Sequence, residues 1–471
     1  MRFSFVVPAI LVASTLTGCE LVNNENEFFD PSIPTIIHFD QDVQPLFDQS
    51  CTSCHGGVVA EAGLRLDSWV NAIAGSNFGA ALVPFSPDRS LMLRMIEDAA
   101  TPHPQEVAAD SLPEVLSAED LVVLRHWIAG GARSESGTVP HSGATDLLYV
   151  TNRDDATVSV IDRETNLVIR VVELVQAGFS PNAQPISVAV EPDGSHWYVA
   201  LTGDDVVAKF DRDNQLVGHA VFVAPGVIVV HPDEDLLYVS RETTVTNPPL
   251  SIGRIDRTSM AVTEIPVLFP RPHAIALDPS GAQVTVGSYG QNGVTRVSVA
   301  TDSTTFTVLD GATHGLLHSA VSAVSSRMIT TAALTGSLLV FDVSDPDSLN
   351  FVDELPVNAG PTQPAFLLDG TVAYVPSAAT NTVTRVTLDP LLVDRVIFGD
   401  GISQPTGTAV STDGRYVYVA NRNPPGPDAY QPRHTFESSQ QTGTVVVIDT
   451  TTDTVVRVIE VGSSADGLGR K

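Results

Sequence analysis

Leu148-Tyr149-Val150-Thr151-Asn152, followed by Thr157-Val158-Ser159-Val160-Ile161-Asp162, returns near the other end of the chain as Val417-Tyr418-Val419-Ala420-Asn421 and Thr444-Val445-Val446-Val447-Ile448-Asp449. Between them stand His196-Trp197-Tyr198-Val199-Ala200, Leu237-Tyr238-Val239-Ser240 and Thr371-Val372-Ala373-Tyr374-Val375. Such β-branched and aromatic runs read as strands. Asp193-Gly194, Asp369-Gly370 and Asp413-Gly414 precede three of them, and Asp-Gly is a hairpin signal. Short apolar strands opened by proline lie ahead of some turns, as in Pro185-Ile186-Ser187-Val188-Ala189, Pro405-Thr406-Gly407-Thr408-Ala409 and Pro272-His273-Ala274-Ile275-Ala276. A unit of about 40 to 50 residues with four short strands is the sequence form of a β-propeller blade.

About seven units fit between residue 146 and the end, within the usual range for propellers. The first strand pair, at Leu147, lacks a proline-led inner strand ahead of it, while Ser463 to Leu468 is a spare segment. That segment is expected to complete blade one and close the ring, which removes exposed strand edges. The repeats, with their literal Tyr149-Val150-Thr151-Asn152, resemble the YVTN-type seven-bladed propeller family over residues 146–471. The resemblance speaks to fold more than to function, because propellers host many activities.

Upstream lies a different composition, centred on Cys51-Thr52-Ser53-Cys54-His55. C-x-x-C-H is the spacing that attaches a c-type haem: two thiols form thioethers and the adjacent imidazole ligates the iron. A redox dithiol would be expected in a βαβ context, and a zinc site would need further ligands at ligand spacing. The chain has three cysteines, of which Cys19 is the third. One covalent haem c is therefore expected, on Cys51 and Cys54 with His55 as proximal ligand.

Cys19 closes an N-terminal segment with a basic start at Arg2, an apolar run from Phe3 to Leu16, and then Leu16-Thr17-Gly18-Cys19. This resembles a bacterial lipoprotein signal over residues 1–18, with Cys19 lipidated, and the apolar run is short for a bilayer span. Residues 19–35 are polar, Asn/Glu-rich and carry two prolines, as a tether would. The implied location is the bacterial envelope, facing the periplasm or the outer membrane.

From 36 to 133 the pattern is helical in short pieces: Phe39–Phe47, Asp67–Ala74, Pro87–Ala99 and Ser117–Ala129. Ser117 caps the last, with Asp120 at the capping-box position and Gly130-Gly131 at its end. Phe39-x-x-x-Val43-x-Pro45-Leu46-Phe47, CTSCHG, Gly63-Leu64-Arg65-Leu66-Asp67-Ser68, Val83-Pro84-x-x-Pro87-x-x-Ser90-x-Met92 and Leu124-x-x-Trp127-Ile128-x-x-Gly131-Ala132 occur in that order. Together they resemble the planctomycete-type cytochrome c domain. The resemblance implies a Met-Pro-Pro segment supplying the distal iron ligand, but this chain has Thr101-Pro102-His103-Pro104-Gln105 there. His103 is the expected distal ligand; Met92 or Met95, His38 or His126, and an open site are the alternatives. Imidazole in place of thioether lowers the potential, since methionine ligation is what raises it. Residues 134–145 are Ser/Gly/Pro-rich and read as a linker.

The net charge is −30, and Lys209 and Lys471 are the lysines. That balance argues against nucleic acid and against electrostatic attachment to anionic lipid, which leaves a lipid on Cys19 as the membrane contact. The propeller histidines show no H-E-x-x-H spacing. His273 follows a blade-opening proline and is expected near the channel mouth with Arg271; satisfied or solvated roles are expected of the histidines in general. Arg241–Ser251 in blade three and Arg422–Gly443 in blade seven interrupt the repeat, and the second is expected to pack on the haem domain or a partner.

The sequence thus describes a small all-α cytochrome c domain followed by an all-β seven-bladed propeller. The leading functional expectation is electron transfer with an unnamed redox partner, the propeller serving docking or substrate recognition. A propeller-based oxidoreductase feeding its own haem, and a surface binding or sensing protein, are the other readings.

Overall fold

A computed structural model describes residues 36–97, 103, 116–243, 250–345, 348–434 and 441–470. The expected signal segment, the tether and Cys19 lie outside them. The described residues form a small helical region followed by a seven-bladed β-propeller.

The helical region comprises α1 (Gln44–Ser50), α2 (Trp69–Ile73), α3 (Leu91–Glu97) and α4 (Ala118–Ala129). A single π turn, Phe39–Val43, leads into α1, where proline sits in the first turn. The capping box of α4 is complete: the Asp120 N–H donates to Ser117 Oγ, and the Ser117 N–H donates to Asp120 Oδ2. Phe39, Phe47, Leu93, Leu124, Trp127 and Ile128 are fully buried in one core. The indole N–H of Trp69 donates to the Ala132 carbonyl and that of Trp127 to the Arg133 carbonyl, both at 2.8 Å. A buried and a half-buried tryptophan thereby fix the chain that leaves α4.

The propeller consists of seven four-stranded antiparallel sheets, and each innermost strand packs against its neighbour's around the ring. Gly194, Gly370 and Gly414 take left-handed φ values of 71°, 67° and 73°, which is what the Asp-Gly turns require of them. Gln184, Ala224, Arg271 and Gln404 are also left-handed, each one residue ahead of a blade-opening proline. The inner strands that follow are bulged beside their prolines. The same kink therefore recurs blade after blade where the chain turns into the channel. Blade one takes its innermost strand, Ala465–Arg470, from the far end of the chain, pairing Asn152 with Ala465 and Leu148 with Arg470.

The helical region sits against blades one and seven. Arg89 bridges the interface, donating to Glu173 Oε1 at 3.0 Å and to Asp155 Oδ2 at 3.2 Å. The Arg170 guanidinium lies 5.2 Å over the Phe85 ring. The blade-seven insertion reaches the same region: Arg433 lies over Phe78 and donates to the Asn77 carbonyl, and His434 meets Phe78 edge-on. Asn423 pins the start of that insertion by hydrogen bonds to Tyr430 and Thr442.

Candidate functional site

The C-terminal end of α1 delivers Cys51. The N–H groups of Cys51 and Thr52 both donate to the Phe47 carbonyl, and the His55 N–H donates to the Cys51 carbonyl at 2.9 Å, so the motif is wound tightly. Gly56 makes that winding possible, because a Cβ there would lie 2.4 Å from the Thr52 carbonyl oxygen. The Leu66 N–H donates to the His55 carbonyl and fixes the far side of the loop.

Cys51 packs against the helical core, and neither it nor Cys54 forms a disulfide. Burial, with the neighbouring Cys54, pushes the Cys51 thiol up to about 11. A reactive or metal-binding cysteine has its thiolate stabilised, so this environment does not suit a redox dithiol. His55 Nδ1 is buried and has no partner among the described residues. An orphaned buried ring nitrogen is costly and unusual, which makes this imidazole fit a missing ligand.

His103 provides the facing group. Its ring centroid is 5.9 Å from that of His55, with the planes 19° from parallel. Two imidazoles on opposite sides of one metal, at about 2 Å per bond, place their rings about 6 Å apart. Burial, together with the nearby His55 and His434, holds the His103 imidazole below its ordinary range and favours the neutral form that a metal ligand needs. The residues present therefore fit a covalently held haem.

The other candidate ligands have these surroundings. Met92 is packed in the apolar core with Leu93, and Met95 is half-buried on α3. His38 faces Glu135, and His126 is exposed, with its Nδ1 2.9 Å from the Val122 carbonyl of its own helix.

The propeller channel holds a polar ring that the sequence did not announce. His273 Nε2 is 2.8 Å from Glu242 Oε2, and its Nδ1 is 2.6 Å from the Leu317 carbonyl. Both ring nitrogens thus sit against oxygen atoms. Burial pushes the Glu242 carboxyl up, but His273, Arg153 and Arg271 outweigh it and hold it at about 2. The His318 ring meets His273 edge-on at 5.3 Å; burial, then the charge of His273, holds its imidazole well below the ordinary range. Arg271 stacks on Tyr289 and donates to the Glu242 carbonyl, and Arg422 donates to Asp466 at 2.7 Å.

The signal was present in the repeat. Arg153, Glu242 and Arg422 each stand four residues after the tyrosine of a Tyr-Val strand. Two further propeller histidines are tied down: His231 bridges the Gly281 carbonyl and the Asp233 and Glu234 N–H groups, and His314 faces Thr335.

Comparison with known proteins follows the same division of the chain. Residues 51–102 match the planctomycete cytochrome C family, and residues 217–457 match the family described as lactonase, 7-bladed beta-propeller. No curated protein sequence matches. Among solved structures, a functionally unknown protein from Desulfotomaculum acetoxidans superposes with a TM-score of 0.54 at 13% identity, covering 69% of this chain and 98% of its own. A putative 6-phosphogluconolactonase from Bacteroides fragilis gives 0.53 at 14% identity, covering 70% and 99%. At such identities the likeness is one of fold.

Proposed function

The chain belongs to the seven-bladed β-propeller lactonase family, and from that premise, with a planctomycete-type cytochrome c segment ahead of the propeller, we propose that it is an electron-transfer protein of the bacterial envelope. Cys51 and Cys54 would hold a haem c through thioether bonds, and His55 and His103 would be the residues that ligate its iron. When bound, haem supplies one-electron Fe(III)/Fe(II) chemistry. The facing His55 and His103 rings beside the C-x-x-C motif are the observation that carries this reading. With both imidazoles engaged, the protein's own residues would keep exogenous ligands off the iron.

The propeller serves as docking platform for a redox partner, and a lipid on Cys19 keeps the assembly at the membrane. Likeness to a putative 6-phosphogluconolactonase extends to the fold and does not supply an activity.

A redox titration of the haem-matured protein, run with and without carbon monoxide, tests the proposal. One reversible one-electron wave at low potential, with no carbon monoxide adduct on reduction, is the expected outcome. Ready adduct formation would instead place the protein among ligand sensors or enzymes.

A further inference from the structure

Two cavities meet at one arginine. The larger, about 710 Å³, lies between the helical domain and blades one and seven. The smaller, about 510 Å³, is a groove between the outer strands of blades six and seven. Arg457 and Val458 line both, so the two cavities share this stretch of the outer strand as a wall. The inner volume is that of a small-molecule site.

Most carboxylates in the inner wall are already engaged. Asp155 and Glu173 are bonded to Arg89, and Asp88 to Arg125. Glu460 accepts from the Tyr430 hydroxyl and the Arg433 N–H. Asp154 makes no side-chain bond among the described residues, and its charge acts on Arg422. Arg457 lacks such a counterpart: it makes no hydrogen bond or ion pair among the described residues. Burial, then the charge of Arg433, pushes its guanidinium below the ordinary range. An unpaired, half-buried guanidinium is unfavourable until an oxyanion completes it.

The outer groove repeats this character. Arg395 and Arg433 line it together with Arg457, and Arg395 is exposed and makes no ion pair among the described residues. Of the two acids there, Asp453 already accepts from Tyr374 and lies 3.8 Å from Arg385. A run of three arginines is a local reversal of sign in a chain of net charge −30. Phe398, 78% exposed, and Val456 give the groove apolar walls.

We propose that the interdomain cavity binds a small organic carboxylate, which enters along the groove between blades six and seven and is held by the Arg457 guanidinium. The apolar walls select an organic anion over an inorganic one, and the arginines at the entrance draw it in. The site is independent of how the haem iron is ligated, so it is read by binding and not by redox activity.

Calorimetric titration of the full-length, haem-matured protein with benzoate, and separately with inorganic phosphate, is the test. Saturable binding of benzoate in preference to phosphate is expected. Arg457→Gln should weaken it roughly ten- to hundredfold, and Arg457→Lys should recover part of the loss. Equal benzoate affinity in Arg457→Gln, no binding by the wild type, or binding of phosphate alone would overturn the proposal. Should the glutamine variant not fold, wild-type crystals soaked in 4-bromobenzoate decide the matter: an anomalous bromine peak in the cavity with the carboxylate against Arg457 supports the site, and none there removes it.

Discussion

Serine at both positions 51 and 54 is expected to abolish covalent haem, leaving no haem-stained band on a denaturing gel. On the proposed attachment each thiol would make one of the two thioether bonds, so the single variants should keep a weakened, single attachment. The effect should also reach the fold. Cys51 packs against the core that holds Phe39, Phe47, Leu93 and Trp127, and His55 Nδ1 is an orphaned buried nitrogen in the same wall. A region of fewer than a hundred residues buries a small core and is marginal without a cofactor or staple. The double variant should therefore lose protection from hydrogen exchange in α1 and α4 while the propeller, with its own cores, keeps it. A propeller that melted together with the helical region would contradict that division. Retention of stained haem in the double variant would contradict the attachment.

Removal of residues 463–471 is expected to have the largest effect on the propeller. The strand Ala465–Arg470 is the innermost of blade one, and without it the ring has a free edge on each side of the gap. Its losses are several at once. The ladder to Leu148–Asn152 disappears, as do the two bonds between Thr151 Oγ1 and the Gly467 backbone, and those from Thr406 Oγ1 to the Ala465 and Asp466 carbonyls. Arg422, part-exposed at the channel, loses Asp466 as its partner. Each backbone bond adds about 1 kcal/mol, so the sum rivals the 5–15 kcal/mol that typically stabilises a whole domain.

The truncated protein should show no cooperative thermal transition and should aggregate, and a peptide of residues 463–471 added in trans should restore the transition in part. Gly467→Val is a subtler form of the same test, since a Cβ at Gly467 would lie 2.4 Å from the Ile186 carbonyl oxygen of blade two. A truncated chain that still melts cooperatively near the wild-type temperature would show that the ring does not depend on this closure.

Much of this architecture could be read from local chemistry. Proline at the start of an inner strand, Asp-Gly at a hairpin and a Tyr-Val pair in the next strand each act over a few residues, so the repeat declares the blade. The missing inner strand ahead of Leu147 and the spare one after Ser463 follow from the same count. The cytochrome c segment was legible because thioether attachment and iron ligation demand adjacent residues, which the C-x-x-C-H spacing supplies.

What the sequence concealed is what the ring topology brings together. Glu242, His273 and His318 come from three successive blades, 31 and 45 residues apart, and meet because each stands at the channel end of its strand. The interface formed by Arg89, Asp155 and Glu173 joins residues 66 and 84 positions apart through the docking of one fold on another, and it has no periodic signature. Arg457 is the extreme case. On the outer strand Thr454–Val461 it reads as a solvated charge, and only the helical domain and the blade-seven insertion turn its surroundings into a cavity wall.

The account turns on His103 facing His55. The decisive measurement is the low-temperature EPR and optical spectrum of the oxidised, haem-matured protein, compared between wild type and His103→Ala. A low-spin bis-imidazole signal in the wild type that becomes high-spin in the variant is the predicted result. An identical low-spin spectrum in both would take His103 away from the iron and pass the distal position to Met92 or Met95, and with it the expectation of a low potential.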